Sequence, residues 1–144
     1  MNSYFPDINV WIALSYEAHV HHSSARRWLE GVRGGVVYFC RFTQLGFLRL
    51  LTHPRVMRDA VRTQQQAWSA YDFLVQDERV LFLREPDIAQ LEPLFRKMTS
   101  GDHPLTKQWP DAYLAAFAQA AELTLVTFDR SLGQMVSPNV LLLR

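Results

Sequence analysis

The chain has 144 residues and a single cysteine, with 49% apolar residues, 20% charged residues, 6 Gly and 7 Pro, a composition that excludes a disordered tail, a disulfide-stapled scaffold and a cysteine-based zinc module. Its size fits one domain over 1–144, because a second core would leave each half marginal. Net charge is only +1, yet residues 31–62 carry six Arg against one Asp, while 85–129 carry seven acids against three bases. Thirteen of the 15 basic residues are Arg, whose planar fork suits phosphate, so an anionic partner fits the basic segment.

The start, Met1-Asn2-Ser3-Tyr4, has neither the basic stretch nor the apolar run of a secretion signal. No run approaches the ~18 apolar residues needed to cross a bilayer, so the expected setting is cytoplasmic, away from membranes. Residues 3–6 read as a short strand ending at Pro6, and Ile8, Val10, Trp11, Ile12 and Leu14 fit a helix that starts at Asp7. An amphipathic helix follows over His22–Arg33 until Gly34-Gly35 stops it, and Val36–Cys40 is a buried strand. Thr43 is expected to cap a helix carrying Leu45, Phe47, Leu48, Leu50 and Leu51, interrupted at His53-Pro54, with a further helical turn from Pro54.

Residues 64–76 form another helix and Val80–Leu83 another strand. Pro86 is expected to open a helix over 87–99 and Pro110 one over 110–121, separated by a loop over 100–109. Leu123–Phe128 is the fourth strand and Val140–Leu143 a candidate fifth. Short, almost continuously apolar strands separated by helices predict an α/β fold of three layers, with a mainly parallel four- or five-stranded sheet covered on both faces.

In such sheets ligands bind beyond the C-terminal strand ends, where strand order reverses, so acids at those ends are the first candidates for chemistry. Asp7 follows the first strand, Asp129 follows the fourth, and Asp111 lies in the first turn of the helix feeding the fourth; Asn9 adds a neutral oxygen beside Asp7. Each acid could equally be a helix cap or a first-turn partner of the helix dipole. Carboxylates that converge repel one another unless a cation neutralises them, and an oxygen-only donor set favours Mg²⁺ or Mn²⁺. The H-x-H-H run His19, His21, His22 fits no ligand pattern and reads as surface or packing, His53 and His103 read as loop residues, and Trp11 and Trp109 as core. A phosphoacceptor reading fails because Asp7 has no acidic neighbour and the two lysines are Lys97 and Lys107.

Three blocks resemble the signature of the PIN domain, particularly the VapC toxins of bacterial toxin–antitoxin pairs: Phe5 to Leu14 around Asp7 and Asn9, Pro110 to Ala116 around Asp111, and Leu125 to Arg130 around Thr127 and Asp129. The resemblance implies a Mg²⁺-dependent endoribonuclease, with Mn²⁺ a substitute, held inactive by a cognate VapB-like antitoxin and often homodimeric. By the same resemblance Asp7, Asp111 and Asp129 match the acidic metal site, Asn9 the small polar position near the first acid, and Thr127 the hydroxyl residue two before the last. The metal would activate a water for in-line attack on an RNA phosphodiester, with Asp129 either completing the ligand set or orienting that water.

The family usually supplies a Glu from the helix after the second strand, but Gly31–Arg58 contains no acid, and Gln44 or Gly46 stands in that neighbourhood. Asp102 and Glu17 are the candidates to compensate. The loss also opens a second reading, a PIN-like module that binds RNA or an antitoxin without cleaving. Arg41 and Arg49 are the foremost candidates for the RNA backbone, with Arg55, Arg58 and Arg62 behind them.

Overall fold

A computed structural model describes residues 2–136 and 139–144. In chain order the elements are β1 (Ser3–Pro6), α1 (Ile8–Ser15), α2 (His22–Gly31), β2 (Val36–Phe39), α3 (Arg41–Leu51) and α4 (Pro54–Met57). A 3-10 turn (Arg58–Ala60), α5 (Gln64–Val75), β3 (Val80–Phe82), α6 (Ile88–Met98), α7 (Gln108–Ala120), β4 (Thr124–Thr127), α8 (Arg130–Val136) and β5 (Val140–Leu142) complete it. All five strands are parallel in the order β3-β2-β1-β4-β5, with Phe5 opposite Leu125 and Val37 opposite Val80. The sequence left the strand number at four or five and the sheet mainly parallel; the fifth strand pairs and the described sheet is wholly parallel.

Side chains alternate across the sheet and so build two cores. On one face Val37, Phe39 and Val126 pack against α1, α2, α3 and α5, with Trp11 stacked on Phe39 at 3.7 Å. On the other, Phe5 and Leu125 meet α6, α7 and α8. There Ala112, Ala115, Ala116 and Ala118 let α7 lie close to the sheet while Phe117 stacks on Phe5 at 4.7 Å. Among the described residues no helix is long and apolar enough to cross a membrane.

Local chemistry sets the helix starts. Asp7 is the N-cap of α1, and Thr63 and Gln66 form a reciprocal capping box on α5. Three expectations shift. The N-cap of α3 is Cys40, not Thr43; Thr43 lies at the third helical position, where its hydroxyl accepts the Cys40 N–H at 3.0 Å. Pro86 does not open α6 as its first helical residue: the helix begins at Ile88 after the N-cap Asp87. Helix α7 begins at Gln108, so Pro110 is its third residue, where the missing N–H would have had no intrahelical partner.

Gly46 sets how closely α3 crosses α1. A Cβ there would lie 2.2 Å from Ile8 Cδ1 and 2.9 Å from Ile8 Cγ1, so the close approach requires glycine or a displaced Ile8. This contact locks the first turn of α1, and with it Asp7, to the helix after β2.

Candidate active site

Strand order reverses about β1: the chain leaves β1 toward β2 and β3 on one side, and β4 and β5 fill the other. The crevice between the C-terminal ends of β1 and β4 is therefore the switch point at which α/β sheets bind ligands. Asp7 stands at the end of β1 and Asp129 just beyond β4. Asp7, Asn9, His19, His21, Phe128 and Asp129 line one cleft at that edge.

Asp7 is 5% exposed. Its Oδ1 accepts the Val10 N–H at 3.1 Å, and its Oδ2 accepts the Thr127 hydroxyl at 2.5 Å. The same hydroxyl accepts the Asp129 N–H at 3.0 Å, so fully buried Thr127 ties the two strand ends together. Asp129 is exposed and caps α8, its Oδ1 accepting the Ser131 N–H at 2.8 Å. Asp111 is half-buried in the first turn of α7, near enough to Asp129 for that charge to act on it.

Burial pushes the Asp7 carboxyl up to about 6, against the opposing pull of the Thr127 and Val10 hydrogen bonds, and the charges of Asp129 and Asp111 raise it further. Asp111 is also raised, by burial first and then by Asp129. Three carboxylates from three distant stretches of chain thus share one electrostatic field. Among the described residues no group of three or more His, Cys, Asp or Glu side chains is placed to hold a metal ion as it stands. The donors are nonetheless of the kind Mg²⁺ takes, hard oxygens that need supply only one or two contacts because the ion keeps several waters. A cation in the crevice would relieve the repulsion that raises Asp7 and Asp111.

No fourth carboxylate joins them from α3. Gln44 is buried, and its Oε1 accepts Arg41 Nη1 at 2.5 Å; a side chain at Gly46 would strike Ile8. Neither Glu17 nor Asp102 is among the charges acting on Asp7 or Asp111, and Asp102, 94% exposed, pairs with His103 at 2.6 Å.

The arginines separate. Arg41 is exposed at the start of α3, on the same sheet edge as Asp7, its guanidinium 4.8 Å from the centre of the Phe82 ring. Arg49 lies two turns farther along α3, in a surface groove with Leu45, Leu48 and Trp68, away from the strand ends. Arg62 caps the end of α1, donating from Nη2 to the Ser15 carbonyl at 2.8 Å. Arg55 and Arg58 are exposed around α4.

Two residues of the cleft escaped sequence reasoning. His19 and His21 line it beside the carboxylates, with the His21 ring stacked on Phe128 at 4.2 Å. Only the chain's return across the end of β4 brings them there, and their spacing carries no signal of it. Trp11 is core as expected, whereas Trp109 is 53% exposed.

The sheet order and the acids at its switch point define a class of protein, and comparison agrees: residues 4–136 match the PIN domain, and the chain belongs to that family. Within it, the chain is 41% identical to Ribonuclease VapC41 of Mycobacterium tuberculosis over 133 residues, 89% of this chain and 90% of the relative. It is 27% identical to Ribonuclease VapC38 of the same organism, covering 85% and 82% of the two chains. Its fold matches VapBC2 from Rickettsia felis bound to a promoter DNA fragment, with a TM-score of 0.69 at 15% identity over 97% of this chain and 96% of that one. It also matches Mycobacterium tuberculosis VapC20, described as a sarcin-ricin loop cleaving toxin, with a TM-score of 0.65 at 16% identity over 91% and 93%.

Proposed function

We propose that this chain is the toxin of a type II toxin–antitoxin pair, an endoribonuclease that hydrolyses RNA phosphodiester bonds with a divalent cation, Mg²⁺ or in substitution Mn²⁺, held by Asp7, Asp111 and Asp129. The observation that supports the reading is electrostatic: at the switch point of a PIN-domain sheet the charges of Asp129 and Asp111 act on Asp7, and that of Asp129 acts on Asp111. Identity to ribonucleases of the VapC group supports the reaction class. A VapB-like antitoxin in the cytoplasm and a second copy of the chain are the partners this reading implies, in keeping with the VapBC assemblies among its fold relatives.

When bound, the cation supplies Lewis acidity, polarising the phosphate and lowering the pKa of a water. The chain's own groups prepare the rest. The Val10 N–H and Thr127 hydroxyl fix both oxygens of Asp7, so its direction is set before RNA arrives. Asp129 caps α8 with Oδ1, leaving Oδ2 either to complete the ligand set or, instead, to orient the attacking water and take its proton. Asn9, exposed at the cleft mouth, offers an amide to a phosphate or ribose oxygen. Arg41 neutralises a flanking phosphate from the same edge, and Arg49 serves the backbone only where RNA extends along α3.

The test is cleavage of RNA by purified wild-type protein in Mg²⁺ and in EDTA, beside Asp7→Asn. Products that need Mg²⁺ and vanish in Asp7→Asn support the proposal; equal cleavage by the variant refutes the site. The uncharged Gln44 favours one alternative, a module that binds RNA or an antitoxin without cutting. RNA retained without products, unchanged by Mg²⁺, would establish it.

A further inference from the structure

Four rings run from the end of α1 to the mouth of the candidate active site. Tyr16 meets His19 edge-on at 6.5 Å, His19 and His21 lie 5.8 Å apart, and His21 stacks on Phe128 at 4.2 Å with 15° between planes. Phe128 is the residue immediately before Asp129.

The segment that carries the imidazoles is fastened. His19 Nδ1 accepts the His21 N–H at 3.0 Å, and His22 Nδ1 is 2.7 Å from the Ala13 carbonyl. The backbone N–H groups of His19 and His22 donate to Tyr16 and His19 carbonyls, each at 3.0 Å. His19, His21 and Phe128 are half-buried, so the rings are held in place yet reach the cleft they share with Asp7 and Asp129. Burial, and then the neighbouring imidazoles of His21 and His22, hold the His19 ring below its ordinary range.

Unpaired RNA bases are recognised by stacking on aromatic faces, histidine included, and a preordered ring loses little freedom on binding. From this geometry we infer that the His21–Phe128 stack, with His19 beside it, is a subsite for the unpaired nucleobase next to the scissile phosphate. The inference rests on the ribonuclease reading and narrows it: the substrate presents an unstacked base at the cut, as a loop or single strand does and a continuous duplex does not. Stacking is tolerant of base identity, so the subsite selects for an unpaired base more than for a particular sequence.

The test uses a pool of unstructured oligoribonucleotides of random sequence to map cut sites for the wild type in Mg²⁺. Kinetics follow on one oligonucleotide containing a mapped site, intact or abasic at the nucleotides flanking the cut, with His21→Ala, His21→Leu and His21→Phe. Loss of one base stack predicts KM raised about 10-fold in His21→Ala and His21→Leu with kcat little changed, and wild-type behaviour in His21→Phe. On the abasic substrate the four proteins should converge. Because His21→Leu keeps an apolar side chain against Phe128, a lesion of folding would appear in His21→Ala as lowered thermal stability without the leucine variant sharing it.

Cleavage by His21→Leu with wild-type KM, or a KM difference that persists on the abasic substrate, overturns the stacking subsite and leaves the nuclease intact. Wild-type protein that yields no more product than Asp7→Asn overturns both.

Discussion

The junctions at the ends of β1 and β2 are built alike and differ in their place in the sheet. In each, one residue separates strand from helix and caps that helix: Asp7 before α1, Cys40 before α3. In each a buried threonine hydroxyl secures the turn, Thr127 reaching Asp7 from β4 and Thr43 reaching Cys40 from within α3. At β2 the acceptor and donor are neutral and local. At β1 the cap is a carboxylate, and its threonine arrives from the neighbouring strand, across the point where the crossovers diverge. The local turn makes a stable cap at either place, but only the Asp7 cap stands at the switch point where α/β sheets bind ligands.

Substitution at the two caps breaks the comparison most sharply. Asp7→Asn and Asp111→Asn should each lower RNA cleavage on the order of 10³-fold or more, while Cys40→Ser, an equally good cap, should leave the rate within a few-fold. Initial rates in Mg²⁺ measure both. A Cys40→Ser protein as inactive as Asp7→Asn would place the chemistry elsewhere on the edge.

The pH dependence of stability comes next. Asp7 in the folded protein holds its proton up to about 6, above the ordinary carboxylate range, so the folded state binds that proton more tightly than the unfolded chain does. Its contribution is most favourable below about pH 4 and is lost as pH rises through about 6, a difference of roughly 3 kcal/mol. In EDTA, Asp7→Asn should therefore be more stable than wild type at pH 7 and lose that advantage toward pH 4, as followed by urea denaturation. A wild-type protein that loses stability relative to Asp7→Asn as the pH falls from 7 to 4 would show that Asp7 is not destabilised by burial and its neighbours.

The two threonines sharpen the contrast further. Thr127→Val and Thr43→Val should each cost about 1–3 kcal/mol, because each leaves a buried polar group without its partner. Only Thr127→Val should also depress cleavage, since it frees Asp7 and the Asp129 backbone together. The smallest effect belongs to the arginines: Arg41→Ala should reduce the salt dependence of RNA binding by about one phosphate contact, with Arg49→Ala weaker on a short substrate.

Much of this was legible in the sequence. The three acids could be found because strand ends and helix starts are marked by apolar runs and by Pro6, and because an acid at such a junction is visible without knowing the sheet order. Strand order, and hence which junctions adjoin, is set by long-range pairing that no local pattern encodes. The displaced cap at α3 has the same origin: Thr43 bonds back to Cys40 from inside the helix, a geometry that looks from sequence like a threonine preceding it. His19 and His21 were passed over because nothing in their spacing states that Phe128, more than 100 residues later, completes their surroundings. Arg41 and Arg49 read alike in the sequence and separate by the length of α3.

The central claim is that Asp7, Asp111 and Asp129 hold one cation between them, and calorimetric titration of the protein with Mn²⁺ tests it most directly. Binding by the wild type that is lost or strongly weakened in Asp7→Asn and in Asp111→Asn, both folded by circular dichroism, is the predicted result. Undiminished binding in either variant would contradict it.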